Sequence, residues 1–328
     1  MKSIAVLPYN IDVEMRTYQK QAFPLGIAKA NIKNYDVWLC GKLIQNRYNA
    51  NNTSQFFDMC DEDLLSEHDG FLTTQCLTAT ALNSLANPQE LIKNNKDTID
   101  QGCYISGAFD EFYIPKKWPF RKFHFAHDYL IYGYNDLLEV FYSAGYLENG
   151  RYDYFNISYN DYLLGVYSQH ISDTYINYHK VNSSYRADLN PPIIQEGLQY
   201  YTNSNYTDTE DSLDTIYGIE AWRMLAKYVS DNKNATLDVR YGRLFMEYRY
   251  VMLERIRVLT KLEVIVDKRI ANDYYNLVYS RARIVFSLFL KYNCSHKPDI
   301  LSRLINLIHD TIQHELKIMN NLANGNST

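Results

Sequence analysis

The chain has 328 residues, a net charge of −5 and a pI near 5.9, and 46% of its residues are hydrophobic while 22% are charged. This composition is typical of a folded globular protein, and the length favours two domains over one. No block of like charges stands out. Because neutralising phosphates requires clustered lysines and arginines, we predict a protein that binds no nucleic acid.

The N-terminus and the cysteines indicate a cellular compartment. Residues 1–9 hold a short apolar run without a signal-length hydrophobic segment, and no stretch is long and apolar enough to cross a membrane. The cysteines are odd in number and form no CxxC motif, which is typical of free thiols in a reducing environment: Cys40, Cys60, Cys76, Cys103 and Cys294. We therefore predict a cytoplasmic protein with no membrane partner, and no motif predicts a cofactor or a metal.

The first half of the chain predicts helices followed by strands. Residues 12–86 have a mixed, helix-leaning pattern, and Pro88 stands where a proline suits a first helical turn. From Gly102 the apolar period becomes that of strands, with β-rich runs at residues 123–134, 140–146 and 151–157. The turns between these runs are short, so the strands should form an antiparallel meander. Ser158 is the expected N-cap of the next helix.

The second half predicts helices. Residues 182–214 are polar and contain a Pro-Pro pair, which favours a linker or a loop that covers the site. Apolar residues then recur at helical spacing, as in Leu244, Tyr248, Met252, Ile256 and Leu259, and again in Leu301, Leu304, Ile308, Ile312 and Leu316. The sequence thus predicts an α+β domain over residues 1–181, a linker, and a helical bundle over residues 215–328.

One stretch of the chain resembles a known family. Residues 102–136 contain Gly-Cys-Tyr, then Asp-Glu-Phe-Tyr-Ile-Pro, then a histidine that opens a strand ending in Gly-Tyr-Asn-Asp. This pattern resembles the butirosin biosynthesis protein H family, relatives of papain-like cysteine peptidases in bacterial natural-product clusters. The helical half is similar too, from Tyr217-Gly218-Ile219-Glu220 onward. The resemblance implies a papain-like antiparallel sheet with N-terminal helices, followed by a helical appendage.

The resemblance also implies a reaction. Family members pass an acyl or peptidyl group from a carrier-protein thioester, through a cysteine, to an amine. That chemistry needs a thiolate, a histidine that activates it, and a group that orients the imidazole. Where the nucleophile is expected, residues 19–25 contain no cysteine, and where the orienting acid is expected the chain has Gly145. Two hypotheses therefore stand: an acyltransferase that forms amides in non-ribosomal peptide biosynthesis, or a catalytically degenerate member that binds a peptide, carrier domain or product.

Three residues are candidates for catalysis. His127 opens a predicted strand and would act as the base, or it is an ordinary strand-end histidine bonded to Asp128 or to backbone. Cys76 follows Gln75 in a plausible helix start, where a helix dipole would favour the thiolate, although a buried structural thiol is the commoner case. Cys103 precedes Tyr104 on a strand, which suits the core or a wall of the site better than a nucleophile.

Four further residues are candidates for substrate binding: His124, Asp110, Glu111 and Tyr113. The two acids precede an aromatic-proline turn, where such residues usually cap or face solvent, but the resemblance would bring one of them near His127. His124 and His127 should point to opposite faces of an extended chain, which argues against a shared metal. Arginines and glutamates crowd residues 240–257, which predicts a charged helix surface or a docking face for a carrier protein.

Overall fold

The computed structural model of this protein describes residues 3–60, 70–77, 87–172, 174–207 and 214–323. The chain divides into two compact units, unit 1 with residues 1–32 and 62–186, and unit 2 with residues 33–61 and 187–328. The first unit contains an antiparallel sheet and the second is mainly helical, which confirms the predicted α+β class.

Unit 1 is built on a seven-stranded sheet. Its strands are β1 (Ile4–Val6), β4 (Leu72–Leu77), β5 (Cys103–Asp110), β6 (Ala126–Asn135), β7 (Val140–Tyr146), β8 (Tyr152–Ser158) and β9 (Ile176–Val181). The order across the sheet is β4-β9-β5-β6-β7-β8, and β1 pairs with the far end of β6. Each pairing is antiparallel, and β6, β7 and β8 form the meander that the short turns predict.

In the described part of unit 1, three α-helices accompany the sheet: α1 (Gln19–Asn31), α3 (Pro88–Asp100) and α4 (Tyr159–Val166). Pro88 lies in the first turn of α3 as predicted, behind the capping side chain of Asn87. Ser158 caps α4, since its hydroxyl accepts a bond of 3.0 Å from the backbone N–H of Asp161. One face of the sheet packs against α3 and α4 in a core that includes Phe109, Tyr129, Ile131 and Tyr162.

Unit 2 combines helices with a small sheet. Strands β2 (Asn46–Asn49), β3 (Phe57–Met59) and β10 (Thr215–Tyr217) pair in the order β10-β2-β3. The helices are α2 (Tyr35–Cys40), α5 (Pro191–Asn203), α6 (Gly218–Asp231), α7 (Val239–Lys261), α8 (Arg269–Tyr274), α9 (Ser280–Ser295) and α10 (Pro298–Ala323), with a π-helical turn at Tyr275–Tyr279 between α8 and α9. The pairing of β2 with β10 explains why residues 33–61 belong with the C-terminal half.

Part of the polar segment 182–214 forms a helix, α5. Asn190 caps α5 through a bond from the backbone N–H of Ile193, and Pro191 begins the helix. Because proline in a first helical turn loses no hydrogen bond, the Pro-Pro pair starts a helix here and does not break one. Ile194 and Leu198 of this helix are buried. Residues 208–213 of the segment lie outside the described part of the chain.

In α7, the apolar residues that recur at helical spacing are the buried ones. All five apolar residues predicted to share one face of α7, from Leu244 to Leu259, are buried. The charged cluster on the same helix is not a uniform surface, because Arg249 and Arg255 are buried as well. Among the described residues, no helix has the length and apolar character needed to cross a membrane.

Candidate functional site

The centre of the site is a histidine–carboxylate pair in unit 1. His127 lies at the start of β6, and Glu111 follows the last residue of β5, which pairs with Ala126. The backbone N–H of Glu111 donates to the carbonyl of Phe125 across this strand pair. The pairing brings Nδ1 of His127 to 2.9 Å from Oε1 of Glu111. The imidazole is about one-third exposed at 34%, whereas the carboxylate is only 5% exposed.

Lys117 completes this pair from the buried side. Its Nζ lies 3.1 Å from the same carboxylate oxygen and donates to the carbonyl of Tyr146 at 2.8 Å, with the ring of Phe155 4.4 Å away. Burial alone would raise the pKa of Glu111, but the hydrogen bond from His127 and the charge of Lys117 outweigh it and lower that pKa. Burial also lowers the pKa of Lys117, and Glu111 offsets this only in part. Glu111 is therefore held ionised beneath the imidazole.

Gln19 covers the other nitrogen of the imidazole. Its amide is oriented by two neighbours, since its oxygen accepts from the backbone N–H of Tyr146 at 3.2 Å and its nitrogen donates to the carbonyl of Asp128 at 2.9 Å. The same amide nitrogen lies 3.3 Å from Nε2 of His127. An amide nitrogen only donates, so Nε2 must accept and the ring proton must be on Nδ1, facing Glu111. Both imidazole nitrogens are thus engaged.

Gly145 makes room for this arrangement. A Cβ atom at Gly145 would lie 2.6 Å from Oε1 of Gln19 and 3.2 Å from Nζ of Lys117. A glycine thus stands where an orienting acid was expected on β7, and the space it leaves is filled by Gln19 and Lys117. The acid that orients His127 comes instead from the end of β5, as Glu111.

A second histidine–carboxylate pair lies beside the first. Nδ1 of His124 is 2.6 Å from Oδ2 of Asp110, which also accepts from Ser168 at 2.6 Å. Burial alone would raise the pKa of Asp110, but the hydrogen bonds from Ser168 and His124 outweigh it and lower the pKa. The ring of His124 stacks on that of His170 with centroids 3.8 Å apart, and the ring of Tyr113 lies 6.1 Å away. His124 and His127 therefore each have their own carboxylate.

The candidate cysteines lie elsewhere in unit 1. Cys76 is on β4, and the predicted helix start is wrong because residues 72–77 form a six-residue ladder with β9. Strand pairing outweighs the helical pattern there, since Thr73 and Thr74 favour a strand. Residues 78–82, the remainder of that predicted helix, lie outside the described residues. β4 is three strands from β6, about 14 Å at ~4.8 Å per strand.

Cys103 is also remote from the imidazole. It begins β5, six residues before Phe109, which pairs with His127, so it lies about 20 Å along the strand at ~3.3 Å per residue. Burial raises the pKa of the Cys103 thiol, which is the opposite of what a nucleophile needs. In the described part of the chain, no cysteine sulfur is hydrogen-bonded to His127 or His124.

The structure therefore brings five of the seven predicted site residues together, namely His127, His124, Asp110, Glu111 and Tyr113, and leaves Cys76 and Cys103 apart. Sequence reasoning missed Lys117, since a lysine between two prolines is typical of a solvated loop. It also gave Gln19 no role, although the expected nucleophile position did point to the start of α1.

Comparison with known proteins does not assign a function to this site. No protein-family model matches the sequence, and no curated protein matches it. Across the described ranges, no group of three or more His, Cys, Asp or Glu side chains could hold a metal ion.

Proposed function

We propose that this protein binds a peptide or a carrier-borne acyl or peptidyl group at His127 and does not turn it over. One observation carries the proposal: the amide of Gln19, at the start of α1, donates to Nε2 of His127 at 3.3 Å. A general base needs a free lone pair close to the proton it removes, and this lone pair is already used. Gln19 is only 4% exposed, so the amide is not easily displaced.

The cysteines support the same conclusion. Acyl transfer through a thioester intermediate requires a thiolate within reach of the imidazole, and Cys76 and Cys103 lie on distant strand positions. The imidazole, oriented by Glu111 and about one-third exposed, can instead contact a ligand through its ring face and edge. The resemblance of residues 102–136 to carrier-dependent acyltransferases supports the ligand class, since a member without turnover would keep the binding role.

Thiol and thioester chemistry tests the proposal. The protein is incubated at neutral pH with an N-acetylcysteamine thioester, thiol release is followed, and cysteine alkylation by iodoacetamide is mapped by mass spectrometry. We expect no release above that of a His127→Gln variant, and alkylation of Cys76 at a rate similar to that of Cys294, which is also exposed. Release that depends on His127, or one cysteine that reacts more than tenfold faster, would reject binding without turnover.

Binding is tested with an amide analogue of the same thioester, which cannot be cleaved. Calorimetry should detect binding to the wild-type protein, and His127→Gln should weaken it at least fivefold. His309→Gln is the control because His309 is an exposed histidine of unit 2, and it should change the affinity less than twofold. Equal losses in the two variants, or no binding by the wild type, would reject the His127 site.

A further inference from the structure

An exposed row of aromatic rings leads to the site. Trp118, Phe123 and Phe125, here called the aromatic strip, are 61%, 37% and 45% exposed. Their centroids are 4.8 Å apart between Trp118 and Phe123 and 6.4 Å apart between Phe123 and Phe125, and Phe125 lies 5.4 Å from the ring of His127. Large apolar groups that stay exposed and contiguous in a folded protein mark an interaction surface.

Positive charges border the aromatic strip. Residues 114–125 contain four basic residues and no acidic one, in a chain whose net charge is −5. Lys117 is buried against Glu111, whereas Lys116, Arg121 and Lys122 are exposed and are here called the cationic rim. None of these three is in an ion pair with any described residue. The rim therefore creates a local positive potential in an otherwise acidic protein.

The loop that carries both features is held in one conformation. The backbone N–H of Arg121 donates to the carbonyl of Phe112 at 3.0 Å, and Pro115 and Pro119 restrict the chain between them. Lys116 and Arg121 have positive φ angles of 65° and 53°, which non-glycine residues adopt only where the surrounding structure holds them. A surface that is already ordered loses little conformational entropy when a partner binds.

We propose that the aromatic strip and the cationic rim dock an acidic peptide segment of a partner protein, which presents apolar side chains to the rings and leads its bound group to His127. This inference rests on the proposed function and names its partner by chemistry. The three rings form a row that ends at the imidazole. An extended peptide can follow such a row, whereas insertion into a membrane surface would need aromatic side chains at a protruding tip. The chain as a whole has a net charge of −5, which disfavours an extended nucleic acid because its binding needs a broad basic surface.

The test measures fluorescence anisotropy of a labelled synthetic peptide that alternates Asp or Glu with Leu and Phe. We expect it to bind the wild-type protein, and the same peptide with Lys in place of its acids to bind at least tenfold more weakly. Arg121→Glu with Lys122→Glu should weaken the acidic peptide at least tenfold, and Trp118→Ala at least fivefold. Lys291→Glu with Lys297→Glu, two exposed lysines of unit 2, changes the net charge equally and should have less than a twofold effect.

Other outcomes overturn the inference. These are failure of the acidic peptide to bind, equal binding by the loop variant, and loop-dependent binding confined to phosphatidylserine vesicles or to a single-stranded RNA oligonucleotide. The proposed function fails separately. Loop-dependent peptide binding together with thioester turnover rejects binding without catalysis but keeps the docking surface. Peptide binding that needs His127 but not the loop keeps the proposed function and rejects the docking surface.

Discussion

Each unit of the protein buries a carboxylate against a cation, and the two pairs differ in what surrounds them. In unit 1, Glu111 lies 3.1 Å from Lys117, and its other partner is His127, whose side chain is 34% exposed. In unit 2, Glu315 lies 2.5 Å from Arg249 with both side chains fully buried. The first network reaches the surface, where a ligand can contact it, and the second is sealed.

The partners of the sealed pair lie in the interior of unit 2, although Nε of Arg249 has no hydrogen-bond partner among the described residues. The hydroxyl of Tyr274 donates to Glu315 at 2.7 Å, and the guanidinium of Arg249 lies 3.4 Å from the ring centre of Phe245. Arg249 also donates to the carbonyl of Phe245 in the preceding turn. Such a pair links helices α7 and α10 and the end of α8, but it presents nothing to solvent. We interpret it as structural.

The choice of cation also distinguishes the two pairs. A guanidinium stays charged in proteins, whereas a buried lysine can lose its proton and escape the cost of an unpaired charge. Burial already lowers the pKa of Lys117. The open network can therefore adjust its protonation when its carboxylate is lost, whereas the sealed one cannot.

The largest expected effect comes from breaking the sealed pair. Glu315→Gln leaves the charge of Arg249 buried without a counter-ion, so we expect a loss of about 3–5 kcal/mol in the free energy of unfolding. Urea denaturation measures it. Glu254→Gln is the control, because Glu254 pairs with Arg257 on the surface of the same unit and should cost less than about 1 kcal/mol. Equal losses in the two variants would show that removing the carboxylate from the buried pair costs no more than removing it from an exposed pair.

Acid should weaken unit 1 through a histidine outside the site. His179 is buried between Ser106 and Thr74, whose hydroxyls lie 2.7 Å and 2.9 Å from its nitrogens, and burial lowers its pKa from 6.5 to about 4. The unfolded chain therefore takes up the proton first. Stability from the neutral imidazole is complete above pH 6.5 and is lost as the pH falls towards 4, by about 3 kcal/mol in all.

This pH response is measured by urea denaturation between pH 7 and pH 4.5. A His179→Gln variant should be less stable than wild type at pH 7 but should lose less stability on acidification. The pKa values of Glu111 and Asp110 are lowered from 4.5 and 3.8, so the stability that these carboxylates contribute is lost only at lower pH. A wild-type protein whose stability falls no more steeply than that of the variant would show that His179 is not the titrating group.

Breaking the open pair should cost less than breaking the sealed one. Glu111→Gln removes the carboxylate from Lys117, which can lose its proton, so we expect about 2 kcal/mol, towards the low end for lost hydrogen bonds between charged groups. The deficit relative to wild type should shrink as the pH rises from 7 towards 10, because the unfolded chain then begins to lose the lysine proton that the folded variant has already lost. A deficit as large as that of Glu315→Gln, and constant with pH, would contradict this account of the lysine.

The smallest expected effect concerns the residue that covers His127. Gln19→Cys puts a thiol at the start of α1 beside the imidazole, where the helix dipole and the histidine favour the thiolate. We expect iodoacetamide to alkylate this cysteine about tenfold faster than Cys294 at pH 7, equivalent to ~1.4 kcal/mol. The exposed Cys76 of the same variant is an internal control. Alkylation no faster than that of Cys76 would show that the imidazole is not available to a group at this position.

Several features of the site were predictable because they depend on neighbours in sequence. The short turns of the meander determine that β6, β7 and β8 are antiparallel, and the pattern around residues 102–136 pointed to His127 and to Glu111. The basic and aromatic residues at 116–125 were also visible, but they alternate with prolines and form no continuous block of charge. Only the structure shows that the aromatic side chains among them are exposed and form one surface.

The sequence by itself determined the class of the fold, since hydrophobic period, turn residues and helix caps are local properties of the chain. The tertiary structure alone decided which side chains meet. Gln19, Lys117 and Gly145 come together only because α1, the loop after β5 and strand β7 converge, and no local signal encodes that encounter. It likewise decided that Arg249 and Arg255 are interior residues, because burial of an arginine depends on the partners that distant segments supply.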